Sequence, residues 1–170
     1  MLFHFCTFLK NLRQYLTKFD PTKPHYLGFR FRPYLKNGYN SGGVYVLSKA
    51  AVKLFIENSY LNETLCPYME YEDVAMAKCL ESIDIHPIDT RDEKGRQRFT
   101  PYDVDQMFAG ALSEELSRIW FMDKPNEGFN AFSPELISLH HLTPSHFRIA
   151  HLVSHHLKIQ QKKKHRRQRI

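Results

Sequence analysis

The sequence predicts an α/β fold, a mixed sheet flanked by helices, and three observations carry that expectation. Short apolar runs with strand character alternate along the chain with stretches of helical periodicity. Hydrophobic residues make up 42% and aromatic residues 14% of the 170, a composition that supports a packed core and excludes a disordered chain. The elements suit one domain but are too few for a complete doubly wound sheet of enzyme size, so the pattern reads as part of a larger α/β domain.

The elements follow in order. Leu9, Leu12, Leu16 and Phe19 recur at helical spacing and predict an amphipathic helix over 9–19, ended by Pro21. His25 to Phe31 alternates aromatic and basic residues as a strand does. Gly38 to Gly43 reads as a turn-rich loop before a short strand, Val44 to Leu47. Ser48 suits the N-cap of a helix over 50–56. A second helix is expected over 72–83, with Val74, Ala77, Cys79 and Leu80 inward and an acidic first turn favoured by the helix dipole. Ile83 to Ile88 reads as a strand, 89–110 as polar and turn-rich, Leu112 to Phe121 as helical and 123–134 as a loop. Leu136 to Leu142 reads as a strand, and Pro144 opens a last helix through Leu157.

Charge is unevenly placed. The net charge is +6, yet Lys158, Lys162, Lys163, Lys164, Arg166, Arg167 and Arg169 stand together at the C-terminus without an acid, so the remaining body is nearly neutral. Residues 158–170 are expected to be a solvated, disordered tail. The tail alone would favour nucleic acid or acidic lipid; the body argues against a nucleic-acid partner. Met1 to Leu9 is apolar but far shorter than the ~20 residues of a membrane span, and it lacks the marks of a signal peptide. Three cysteines leave the redox compartment open. Asn62-Glu63-Thr64 is an N-glycosylation acceptor triplet, of a kind that also arises by chance and matters only in a secretory compartment.

Several local groups could carry chemistry. Tyr39-Asn40-Ser41-Gly42-Gly43-Val44-Tyr45-Val46-Leu47-Ser48 puts a glycine pair at a strand entry; a tight turn explains it, and so does close approach of another group to the backbone. Glu70-Tyr71-Glu72-Asp73-Val74 is either a helix N-terminal charge cluster or a general base on a fixed support. In Ser138-Leu139-His140-His141-Leu142, read as a strand, only one of the two histidines can face a site. His151 and His155 share a helix face but lack the Glu of a zinc-protease motif, and a hydrated face is expected. Asp103-Val104-Asp105 spells DxD, a pattern whose carboxylates suit hard cations, but it sits in a turn-like region and reads as coincidence.

Together these segments resemble glycosyltransferase family 31, specifically its core 1 β1,3-galactosyltransferases, from Asn11 to Leu157. Asn11-Leu12-Arg13 looks like the segment following the family's Asp-Asp-Asp motif, and Gly28-Phe29-Arg30-Phe31 and Pro33-Tyr34 like its next strand. Tyr39 to Ser48 resembles the family's glycine loop, one residue shorter and with Val44 inside the run. Asp89-Thr90-Arg91-Asp92, Gly95, Phe99 and Pro101 fall in step. The resemblance implies the C-terminal part of a GT-A-like nucleotide-sugar transferase domain. Asp73, beside Glu72, would be the catalytic base and His140 a Mn²⁺ ligand. Gly42, Gly43, Tyr45 and Trp120 would lie at the acceptor, and Cys66 and Cys79 would be disulfide-bonded.

The implied activity is inverting transfer of galactose from UDP-galactose, in β1,3 linkage, to N-acetylgalactosamine on Ser or Thr of glycoproteins. The implied setting is lumenal, at the Golgi membrane, as in type II membrane enzymes, with a homodimer a possible assembly. The family's paired cysteines before the metal His are replaced by Ala131-Phe132. Residues 1–10 resemble nothing in the family, and no counterpart of its anchor, uridine-binding strands or DxD is expected in this chain. The alternative is a non-catalytic relative, an inactive fragment or a chaperone-like protein, that binds protein only. Glu72-Asp73 and His140 kept together favour the enzyme.

Overall fold

The computed structural model describes residues 6–153. Met1–Phe5, the tail 158–170, His155 and the expected end of the last helix at Leu157 lie outside the described residues. The fold is mixed α/β. Its main sheet has the order β3-β2-β4, built from β2 (Tyr26–Phe31), β3 (Tyr39–Leu47) and β4 (Pro87–Ile88), with β3 antiparallel and β4 parallel to β2. A second, two-stranded sheet joins β1 (Cys6–Thr7) to β5 (Ser138–Leu139).

β2 is the central strand, and Tyr26, Leu27, Phe29 and Phe31 are all buried, as a strand covered on both faces requires. Phe29, Phe31 and Phe121 pack ring to ring with centroids 5.4–5.8 Å apart. α3 (Glu72–Glu81) lies along β3 and buries Val74, Ala77, Cys79 and Leu80, the inward set read from the sequence. Ser48 caps α2 (Lys49–Asn58), accepting a hydrogen bond from the amide of Ala51. Cys66 and Cys79 are disulfide-bonded, with Cα atoms 4.4 Å apart, which ties the loop before α3 to the helix itself. Closing a loop of this length stabilises by about 3 kcal/mol in the chain-entropy model.

Several elements differ from the sequence expectation. α1 spans Leu9–Leu16, short of Phe19, and its buried residue is Tyr15, whereas Leu9 is 58% exposed. Arg98 accounts for the exchange: it is buried with its guanidinium 4.8 Å from the Tyr15 ring centroid, and it donates to Thr90 and Glu135. Only Pro87–Ile88 of the expected strand 83–88 pairs, because Asp84 takes a left-handed conformation (φ 59°). The polar stretch 89–110 contains α4 (Val104–Phe108), and α5 is Glu114–Trp120. Asp103 caps α4 by accepting from the amide of Gln106, which gives the DxD-like string a structural role. The expected loop 123–134 holds one 3₁₀ turn, Gly128–Ala131. α6 (Pro144–His151) has Pro144 in its first turn and Thr143 as its cap.

The expected loop 38–43 is the largest revision. β3 begins at Tyr39, and the ladder jumps from Gly28–Tyr45 to Arg30–Asn40, so Ser41 to Val44 bulge out of register opposite Phe29. The strand resumes with Asn40 tight against β2: a Cβ on Gly28 would stand 2.8 Å from Asn40 Cγ. Asn40 is fully buried. Gly28→Ala should therefore overpack the sheet and lower stability by about 1–3 kcal/mol, read as a lower urea midpoint at unchanged slope.

Candidate active site

A cleft of about 660 Å³ opens where α3, the β3 bulge, α5 and the segment after β5 meet. Its lining includes Gly42, Glu72, Asp73, Trp120 and His140, five of the residues singled out in the sequence. Tyr45 and Gly43 are not lining residues, yet both act on residues that are.

Asp73 and Glu72 occupy the first turn of α3, where free backbone N–H groups and the helix dipole favour carboxylates. One Asp73 oxygen accepts from the amide of Gly42 at 3.0 Å and the other from its neighbour Val74 at 2.9 Å. Glu72 accepts a hydrogen bond from the Tyr45 hydroxyl. Burial pushes the Tyr45 phenol well above its ordinary range and the bond to Glu72 adds to this, so the phenol remains a donor. Tyr45, expected at the acceptor, is thus a support beneath Glu72 and lies in a different groove, lined also by Val44, Phe147 and Leu12.

The glycine pair sets the depth of the cleft. A Cβ on Gly43 would stand 2.7 Å from both Cγ and Nδ1 of His140, so the imidazole lies flat on backbone that carries no side chain. Gly42 is looser, with Asp73 at ordinary contact distance from a built Cβ. Desolvation pushes His140 down from 6.5 to about 4, with His141 acting in the same direction, and leaves it a neutral imidazole near pH 7. His141 is lowered as well, by desolvation.

Both histidines line the cleft, against the expectation that a strand would point them apart. The strand stops at Leu139 and His141 adopts φ 53°, which swings its ring beside that of His140 with centroids 4.0 Å apart and onto Tyr102. Nothing in the sequence marks that positive φ on a non-glycine residue. Phe31, Ser41, Glu70, Tyr71, Pro101, Tyr102 and Leu112 complete the wall. Trp120 stands edge-on to Phe31 and Tyr34, each 6.2 Å away, within an aromatic group that includes Tyr39.

No group of three or more His, Cys, Asp or Glu able to hold a metal exists among the described residues. His140 suits one ligand position by its neutral form, but these residues do not fit a self-contained metal centre. Asn62 is exposed in the loop between α2 and α3. No helix among the described residues is long and apolar enough to cross a membrane.

The α/β domain sets a helix-borne carboxylate pair and an imidazole around an aromatic-walled cleft, the mix of apolar wall and few convergent polar groups that ligand sites share. No family model matches the sequence. The chain is 31% identical over 156 residues, 88% of its length, to glycoprotein-N-acetylgalactosamine 3-beta-galactosyltransferase 1 of Xenopus laevis, and it spans 42% of that protein's length. The resemblance read from the motifs holds at this level: the chain is similar to a β1,3-galactosyltransferase over most of its residues.

The packing of His140 has a consequence for stability. The unfolded chain binds a proton near pH 6.5 and the folded chain only near pH 4, so stability is highest above 6.5 and declines as pH falls towards 4. His140→Gln should flatten this part of the urea-midpoint profile between pH 7 and 4. Gly43→Ala, by lifting the ring, should move the His140 pKa measured by NMR back towards 6.5.

Proposed function

We propose that the cleft is the acceptor side of an inverting β1,3-galactosyltransferase site in a GT-A-like domain. The observation that carries this reading is the chemistry of the lining, in which Glu70, Glu72, Asp73, His140, Trp120, Tyr71 and Tyr102 come together without a Lys or Arg. A neutral hexose offers hydroxyls to carboxylates and an apolar ring face to aromatic side chains. A diphosphate would meet an acidic wall with no cation to offset it. The similarity to the Xenopus enzyme favours N-acetylgalactosamine on Ser or Thr as the acceptor and UDP-galactose as the donor.

In the proposed reaction Asp73 accepts the proton of the acceptor 3-hydroxyl. The freed oxygen forms a bond to the anomeric carbon of galactose from the face opposite UDP, and the bond from that carbon to the diphosphate breaks, its electrons leaving with UDP. The amide of Gly42 fixes one Asp73 oxygen so that the carboxylate is oriented before the acceptor arrives. Tyr45 restrains Glu72 beside it. Trp120 is placed to stack on the acceptor sugar. For Mn²⁺ the proposal extends to His140 as a nitrogen ligand; the described residues do not supply a complete ligand set. The Golgi lumen is the proposed setting, an oxidising one in which the Cys66–Cys79 disulfide persists.

Trp120 is the sole tryptophan, so intrinsic fluorescence reports directly on the cleft. Titration with an N-acetylgalactosaminyl peptide should quench or shift that emission, and Trp120→Phe should remove the signal. With UDP-galactose and Mn²⁺, transfer of radiolabelled galactose should fall about 10²–10⁴-fold in Asp73→Asn, whereas acceptor titration of that variant should change little. Acceptor binding without transfer would favour the non-catalytic alternative. Neither binding nor transfer by folded protein would sink the acceptor-site reading.

A further inference from the structure

We infer that Asn62 carries an N-linked oligosaccharide. Asn62-Glu63-Thr64 is the single Asn-x-Ser/Thr triplet in the sequence. Such triplets arise by chance, and burial or lack of room disqualifies many of them. This one is exposed at Asn62, Glu63 and Thr64 alike. Asn62 Oδ1 accepts from the amides of Thr64 at 3.0 Å and Leu65 at 3.3 Å, an Asx turn that folds the hydroxyl-bearing residue back towards the asparagine. The side-chain oxygen is thereby engaged with the turn, and the amide nitrogen is the group left to carry a sugar.

A second observation is independent of the triplet. The same loop exposes large apolar side chains, with Leu61 87% and Tyr68 96% accessible and Tyr60 more than half so. All three fall within residues 60–68, around the Asn62 side chain in sequence. A glycan at Asn62, one residue from Leu61 and two from Tyr60, is a bulky and solvating cover of the right kind. The Cys66–Cys79 disulfide anchors this loop to α3, so the glycan would stand at a fixed place on the helix-side flank.

The donor class is a lipid-linked oligosaccharide diphosphate. The bond from C1 of its first sugar to the phosphate oxygen breaks, C1 bonds to Asn62 Nδ2, one amide proton passes to a base of the transferring enzyme, and the lipid diphosphate departs. The inference rests on the lumenal setting of the proposed function.

The test expresses the full chain in a eukaryotic cell, directed to the lumen by an added leader, and compares lysate and medium with and without peptide N-glycosidase F. The wild-type band should gain mobility on digestion, and mass spectrometry should find Asp at position 62 afterwards. Asn62→Gln and Thr64→Ala should lose the shift, and Thr64→Ser should keep it. Because the lysate is read too, a variant that folds poorly still gives a result. Wild-type protein that reaches the lumen and shows no shift in either fraction overturns the inference. Unmodified protein that still binds or transfers defeats the glycan alone, and glycosylated protein that does neither defeats the proposed function alone.

Discussion

The site depends on backbone that presents no side chain. At the β3 bulge the chain leaves the ladder for a few residues, and the two groups with the most evident chemistry are packed against it. Asp73 is held by the amide of Gly42, and His140 lies where a Cβ of Gly43 would be. A bulge beside a site re-aims side chains, but here its service is to give way. Any L-residue with a side chain at position 43 would have to displace the imidazole, because the conflicting atoms belong to the ring and its Cβ and not to a flexible tip.

Other parts of the fold hold the two walls at this separation. Arg30 and Arg91 share Asp123, with contacts of 2.7 and 2.9 Å, and Asp89 closes the group through Arg91. The Arg91 hydrogen bond holds the Asp89 carboxyl below its ordinary range. This cluster ties β2, the segment after β4 and the segment after α5 together, and Thr90 adds a hydrogen bond to the Gly28 carbonyl. Trp120 ends α5 beside that junction, and its carbonyl accepts from the amide of Arg32. The aromatic wall is therefore fixed by polar contacts beneath it as well as by ring packing.

Much of the acidic wall was legible in the sequence. The inward set of α3, the Ser48 cap and the carboxylates at a helix start follow from periodicity and end chemistry, which are local properties. The glycine pair was legible as an alternative, turn or close approach, and its bulge was not, since a register jump depends on what β2 offers opposite it. The two-histidine wall escapes the sequence for a related reason. Alternation holds only while a strand continues, and no local signal shows that it ends at Leu139. Tyr102 and Leu112 enter the cleft through long-range packing that no spacing along the chain encodes.

The two walls are secured by different means. On the carboxylate side a covalent bond, Cys66–Cys79, ties the approach to α3 to the helix carrying Asp73. On the imidazole side no disulfide forms among the described residues, and hydrogen bonds serve instead. Gln97 donates to the Ala131 carbonyl, Ser133 to that of Gln97, Ile137 to that of Arg98 and Thr100 to that of Ser138, so residues 131–138 run zipped along 97–100. β1 then covers the other edge of β5, and Phe8 and Asn11 bond to Ile137 and Leu136. Each bond contributes about 0.5–1.5 kcal/mol, and together they hold the segment that leads to His140. The depressed basicity of His140 is thus a property of a cooperative, non-covalent strap. The orientation of Asp73 rests on the Gly42 amide at the first turn of α3, whereas the disulfide grips that helix near its other end, at Cys79.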